Sequence, residues 1–133
     1  QGVTVQVETA GSFALPELEE MIINQKLFIV VSPKTPDVSE FVANYAVAWK
    51  YIISATHELS ERDGLPFTDT QNPKHQRRLA RPIYDTSPDK VYVQPMDEGE
   101  QGKNTLNLQR CVELAKRYGY TVSLQQHKIL NLP

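Results

Sequence analysis

Cysteine is the scarcest feature of this sequence: Cys111 is the only one in 133 residues. A single thiol excludes an internal disulfide and any cysteine-rich metal site. Histidine is nearly as sparse, and His57, His75 and His127 show no metal-ligand spacing. No apolar run approaches the ~20 residues of a membrane span, and nothing resembles the charged and apolar regions of a signal peptide. An excess of charge is also missing. The 14 Lys and Arg stand against 16 Asp and Glu, a net −2. That balance gives no electrostatic reason to expect nucleic acid or an anionic membrane as partner. There is no phosphate-cradling loop and no nucleophilic triad. What remains is ordinary globular composition, 40% hydrophobic and 23% charged, in a chain long enough for one core and short for two. The expected setting is the cytoplasm, with a small polar molecule as ligand.

What is present is an alternation of strand and helix patterns. "VTVQVET" sets Val3, Val5 and Val7 on one face and Thr4, Gln6 and Glu8 on the other. A strand starting so soon after Gln1, with no methionine, is expected of a processed or fragmentary chain. "LPELEEMIINQK" predicts a short helix with Pro16 in its first turn, where a missing N–H costs nothing. "LFIVVSPK" holds five consecutive apolar residues, as in a strand buried on both faces of a parallel sheet. "PDVSEFVANYAVAWKY" predicts the clearest helix, capped by Asp37 with Glu40 three residues on. Its apolar stripe is Val38, Phe41, Val42, Tyr45, Ala46 and Trp49. "KYIISA" follows as a short strand.

Residues 57–89 interrupt the rhythm with Pro66, Pro73, Pro82, Pro88 and a basic run, "KHQRRLAR", that reads as a solvated face. They are expected to form a partly ordered insertion with room for one helical turn at 73–80. "KVYVQP" resumes as strand. "NTLNLQRCVELAKRYGY" predicts a helix capped by Asn104 and closed by Gly119, with Leu108, Cys111, Val112 and Ala115 inward. "TVSLQQHK" is the last strand. Residues 1–133 thus read as one α/β unit with a mostly parallel sheet.

Ligands of such sheets bind beyond the carboxyl ends of the strands. There the sequence places Glu8, then Ser32, Pro33 and Lys34, then Gln94, Pro95, Met96 and Asp97, and finally Gln125, His127 and Lys128. Each has a plain structural reading as well. A glutamate on a strand's polar face is most often solvated, "SPK" serves as a surface turn, and a lone histidine is more often a satisfied structural group than a ligand. The residues by themselves name no reaction.

Four strings change that. "VQVETAGS", "VVSPK", "VYVQPMDE" and "VSLQQHKILNLP", in this order, resemble the C-terminal part of the 7-carboxy-7-deazaguanine synthases, radical S-adenosylmethionine enzymes of the queuosine pathway. The resemblance implies a partial (β/α) barrel-like sheet with flanking helices. It implies S-adenosylmethionine contacts from Glu8, Ser32, Pro33, Lys34, Gln94, Pro95, Met96 and Asp97. It further implies that Gln125, His127 and the terminal carboxylate of Pro133 face a pterin substrate. The cofactors implied for the complete enzyme are S-adenosylmethionine, a [4Fe–4S] cluster and Mg²⁺. The family's Cys-x3-Cys-x2-Cys loop and its glycine-rich turn are not in these residues, so no catalytic or metal-ligating residue is expected here. The isolated chain is expected to be inactive. The alternative is a non-enzymatic module binding a pterin, a nucleoside or a protein. Unpaired outer strands leave a homodimer open.

Overall fold

The computed structural model describes residues 3–125. Five strands form one sheet: β1 Val5–Thr9, β2 Leu27–Val31, β3 Ala46–Ile53, β4 Val91–Pro95 and β5 Thr121–Val122. They lie side by side in chain order, every neighbouring pair parallel. Crossovers of one hand between sequential neighbours put all connections on the same face of the sheet. That face carries α1 Glu19–Ile23, α2 Glu40–Tyr45 and α3 Gln101–Tyr118. The architecture is α/β with flanking helices, as expected. Among the described residues the sheet stays open and does not close into a barrel. No helix there is long and apolar enough to cross a membrane.

The core lies between the sheet and its helices. Ile29 and Val31, Trp49, Tyr51 and Ile53, and Val91 and Val93 pack with Val42 of α2 and with Cys111 and Leu114 of α3. Side chains of alternate residues point to the other face. On that face lie Glu8, Val30, Ala48, Lys50, Ile52, Tyr92 and Gln94.

A single irregularity decides which residues go where. Ile29 pairs with Ala46, but Val30 pairs with Ala48, so Val47 is an extra residue in β3. A bulge of this kind reverses the facing of everything after it. It sends Trp49 and Tyr51 into the core and Lys50 to the opposite face. Without it, a lysine would enter the apolar layer.

Several expected elements differ in extent. The helix foreseen through Trp49 ends at Tyr45, and β3 begins at the next residue. Tyr45, Ala46 and Trp49 suit helical spacing and a strand equally. The β-branched and aromatic run from Val47 to Ile53, filling the slot between β2 and β4, settles the matter. Ser39 caps α2 by accepting from the Val42 N–H at 3.2 Å, in place of Asp37, which pairs with Arg77 at 2.7 Å. Asn104 lies inside the first turn of α3 rather than capping it. Its side chain accepts from Glu98 N–H at 2.8 Å and donates to Asp97 at 2.9 Å, tying down the loop after β4.

The inward stripe of α3 is Asn107, Cys111 and Leu114, while Leu108 and Val112 are 37% and 38% exposed. The rotation has a polar cause. Asn107 accepts from Ala55 N–H at 2.7 Å and donates to the Met96 carbonyl and to Glu98, so an asparagine holds the buried position. Residues 73–80 form turns and extended chain, not a helical turn. The 57–89 segment is nonetheless packed, with Leu65 and Leu79 in the core.

A polar cleft at the strand ends

Beyond the carboxyl ends of β1 to β4 lies a cleft of about 320 Å³. Its charged lining is Glu8, Lys34 and Lys50, and its polar lining includes Ser32, Gln71, Gln94 and Gln125. The volume falls within the range of small-molecule sites, about 300–1,000 Å³. Each wall follows from the local fold. β1 ends on Thr9, whose hydroxyl accepts from the Gly11 N–H at 3.0 Å and starts a turn immediately after Glu8. Gly11 holds φ +82°, and a Cβ there would come within 2.9 Å of Val38. Only glycine turns the chain away from Glu8 at that point without strain.

At the end of β2, Ser32 donates its N–H to the Thr9 carbonyl at 2.8 Å and is nearly buried. Pro33 is buried behind it and makes no part of the cleft lining. Lys34 emerges next, its Nζ donating to Gln71 Oε1 at 2.7 Å. Gln94, on β4, is 6% exposed and accepts a long bond from the Ser123 hydroxyl at 3.4 Å.

Lys50 has no counterpart among the residues singled out from the sequence. It stands in the middle of the apolar strand "AVAWKYII", and its Nζ reaches both carboxylate oxygens of Glu8, at 2.7 and 2.8 Å. The pair spans β2, passing over Val30. The signal was an ionisable residue inside an otherwise buried strand, where a charge persists only with a partner. Gln71 and its neighbour Asp69 were also missed, because they come from the irregular segment.

The eight expected cofactor residues therefore separate. Glu8, Ser32, Lys34 and Gln94 meet in the polar cleft. Pro95, Met96 and Asp97 line a smaller, mostly apolar cavity of about 170 Å³ with Asn104, Leu108 and Leu124. Gln125 borders both cavities. His127 and Pro133 lie outside the described residues. His57 is engaged with the Thr68 hydroxyl at 3.0 Å, away from the cleft lining.

A curated protein from Rhodospirillum rubrum, 7-carboxy-7-deazaguanine synthase, aligns with the chain over 138 residues at 33% identity. The chain is thus similar to a 7-carboxy-7-deazaguanine synthase. The match takes in 99% of the chain and 55% of the synthase, so the chain spans about half the length of that relative. No family model matches the chain, and no solved structure matches it.

The donor set can be weighed against the cofactors that the resemblance implies. Two ammonium groups, a carboxylate, the Ser32 hydroxyl and three amides in one cleft complement a zwitterionic amino acid carrying hydroxyls, which is the chemistry of S-adenosylmethionine. An iron–sulfur cluster does not fit. Cys111 is buried within α3, where desolvation pushes its thiol up to about 12. Among the described residues there is no group of three or more His, Cys, Asp or Glu placed to hold a metal ion.

Proposed function

We propose that the chain is the C-terminal portion of a radical enzyme of the queuosine pathway, converting 6-carboxy-5,6,7,8-tetrahydropterin to 7-carboxy-7-deazaguanine. Its part is to hold the S-adenosylmethionine and the pterin. The observation that carries this reading is convergence: Glu8, Ser32, Lys34 and Gln94, drawn from three separate strand ends by the family's motifs, line one cleft.

In this reading the cofactor's carboxylate lies toward the ammonium groups of Lys34 and Lys50, and its ammonium lies toward Glu8. Ser32 and Gln94 supply hydrogen bonds to its remaining polar atoms. Bound S-adenosylmethionine would supply the carbon radical that starts the reaction. Gln125, His127 and the Pro133 carboxylate take the guanidine-like edge of the pterin, an acceptor-only group suiting a row of donors. Residues outside this chain ligate the cluster, and the setting is the cytoplasm.

Equilibrium dialysis with S-adenosylmethionine tests the assignment. The chain is expected to bind it, and Lys34→Met is expected to weaken binding about tenfold, or about 1.4 kcal/mol. Equal binding by both proteins would remove the cleft from the site. With reductant and the pterin added, no 7-carboxy-7-deazaguanine should form. Because the chain has one cysteine, a binding-only module is the second reading. Pterin binding without any affinity for S-adenosylmethionine would favour it.

A further inference from the structure

The 57–89 segment does more than cover the core. It is pinned to the strand ends at three points. The Thr70 hydroxyl donates to the Ile52 carbonyl at 2.8 Å, the Ala80 N–H donates to the Thr35 carbonyl at 3.0 Å, and the Tyr51 hydroxyl donates to the Ala80 carbonyl at 2.7 Å. Around the first pin lies a turn in which Asp69 Oδ1 accepts the Gln71 N–H at 3.0 Å. That turn carries two groups to Lys34: the Gln71 side-chain oxygen at 2.7 Å and the Asp69 carboxylate at 3.8 Å.

Asp69 is a buried carboxylate, its side chain 7% exposed, while the Lys34 side chain is 35% exposed. Its other ionic neighbour is His75, at 3.9 Å and half exposed. Burying a carboxylate is unfavourable unless it is paired. A turn needing only a backbone cap is served as well by asparagine. The charge is accounted for by the ammonium it faces. Lysine's flexible stem makes a restraint of this kind useful, since a free ammonium would spread over many rotamers.

We propose that the 69–71 turn is a positioning element of the ligand cleft, in which Gln71, backed by Asp69, holds the Lys34 ammonium where a ligand carboxylate meets it. This rests on the reading of the cleft as an S-adenosylmethionine site and adds to it a residue pair from outside the resemblance. Gln71 and Asp69 act through Lys34. Gln71 also borders the cleft itself, as do Gln94 and Gln125.

Two readouts on the intact chain test this. The first needs no ligand. The rate of Lys34 acetylation by acetic anhydride, relative to exposed Lys74 and followed by mass spectrometry, is expected to rise severalfold in Gln71→Leu and Asp69→Asn. Asparagine preserves the turn's acceptor, so the melting temperature of Asp69→Asn should stay near that of the unmodified chain. An unchanged acetylation rate in both variants overturns the proposal.

The second uses S-adenosylmethionine as probe. Gln71→Leu is expected to weaken binding severalfold in the native background and not at all on top of Lys34→Met. Equal losses in both backgrounds overturn the proposal, because they mean Gln71 acts independently of Lys34. If the unmodified chain binds no S-adenosylmethionine, the functional reading fails and takes the named ligand with it. The acetylation result then shows separately whether the turn restrains Lys34.

Discussion

Lys50 is the costliest residue in the cleft, a charge 14% exposed in a strand of apolar neighbours, and Glu8 offsets that cost from two strands away. The glutamate side chain remains 45% exposed, so water screens the pair and its net worth is modest. Glu8→Gln is expected to lower stability by about 1 kcal/mol, the low end for breaking a partly buried pair. Lys50→Met should be near neutral in stability while weakening S-adenosylmethionine. Urea unfolding and equilibrium dialysis on the two variants read these effects, and equal behaviour would contradict the assigned roles. Cys111 makes a simpler test. Its buried thiol, pushed up to about 12 by desolvation, should resist iodoacetamide at pH 8 until the chain is unfolded.

The tyrosines set the alkaline limit. Burial, then the nearby Asp63 carboxylate, pushes the Tyr120 phenol up to about 12, and burial raises Tyr51 further. A raised phenol binds its proton more tightly in the folded state. Its stabilisation is complete below pH about 10, the unfolded value, and is lost as pH rises toward 12. Melting temperatures by circular dichroism should hold level to pH 10 and fall at pH 11 to 12. A flat profile across that interval would show that neither phenol is buried.

At the scale of elements, the Val47 bulge governs the cleft. Deleting Val47 would leave Ile29–Ala46, Val30–Ala48 and Val31–Trp49 as regular consecutive pairs, with Trp49 still in the core and Lys50 still on the face of Glu8. The variant is expected to keep cooperative unfolding and a blue-shifted Trp49 fluorescence. A red-shifted, solvent-exposed spectrum would mean that the facing is set by more than this register. The sequence displayed the strand cores "LFIVV" and "KYII" and the long helix through Cys111 because each carries its own apolar period. It did not display the bulge, because a one-residue shift leaves composition unchanged. Nor did it display the turned face of α3, since the position of Asn107 depends on Ala55, Met96 and Glu98, all distant in the chain. The 69–71 turn was illegible for the same reason: only the folded chain brings Gln71 to Lys34.

For the whole molecule, the described sheet has two outer strands, β1 pairing only with β2 and β5 only with β4. Parallel sheets usually have both faces covered, and on the face away from the helices Val30, Ala48, Ile52 and Gln94 are buried. The family motifs made Glu8, Ser32, Lys34 and Gln94 legible as a set, and their convergence needed the fold. Lys50 was visible as a letter and unreadable as a site, since its partner lies 42 positions away.

The most direct test of the central claim is a titration of the ¹⁵N-labelled chain with S-adenosylmethionine, followed by amide chemical shifts. Perturbations should cluster at Glu8, Ser32, Lys34, Lys50, Gln71 and Gln94 and should spare the 59–64 and 110–117 surfaces. They should collapse in Lys50→Met. Saturable shifts confined to any other surface, or none at millimolar ligand, would contradict the assignment of the polar cleft to this cofactor.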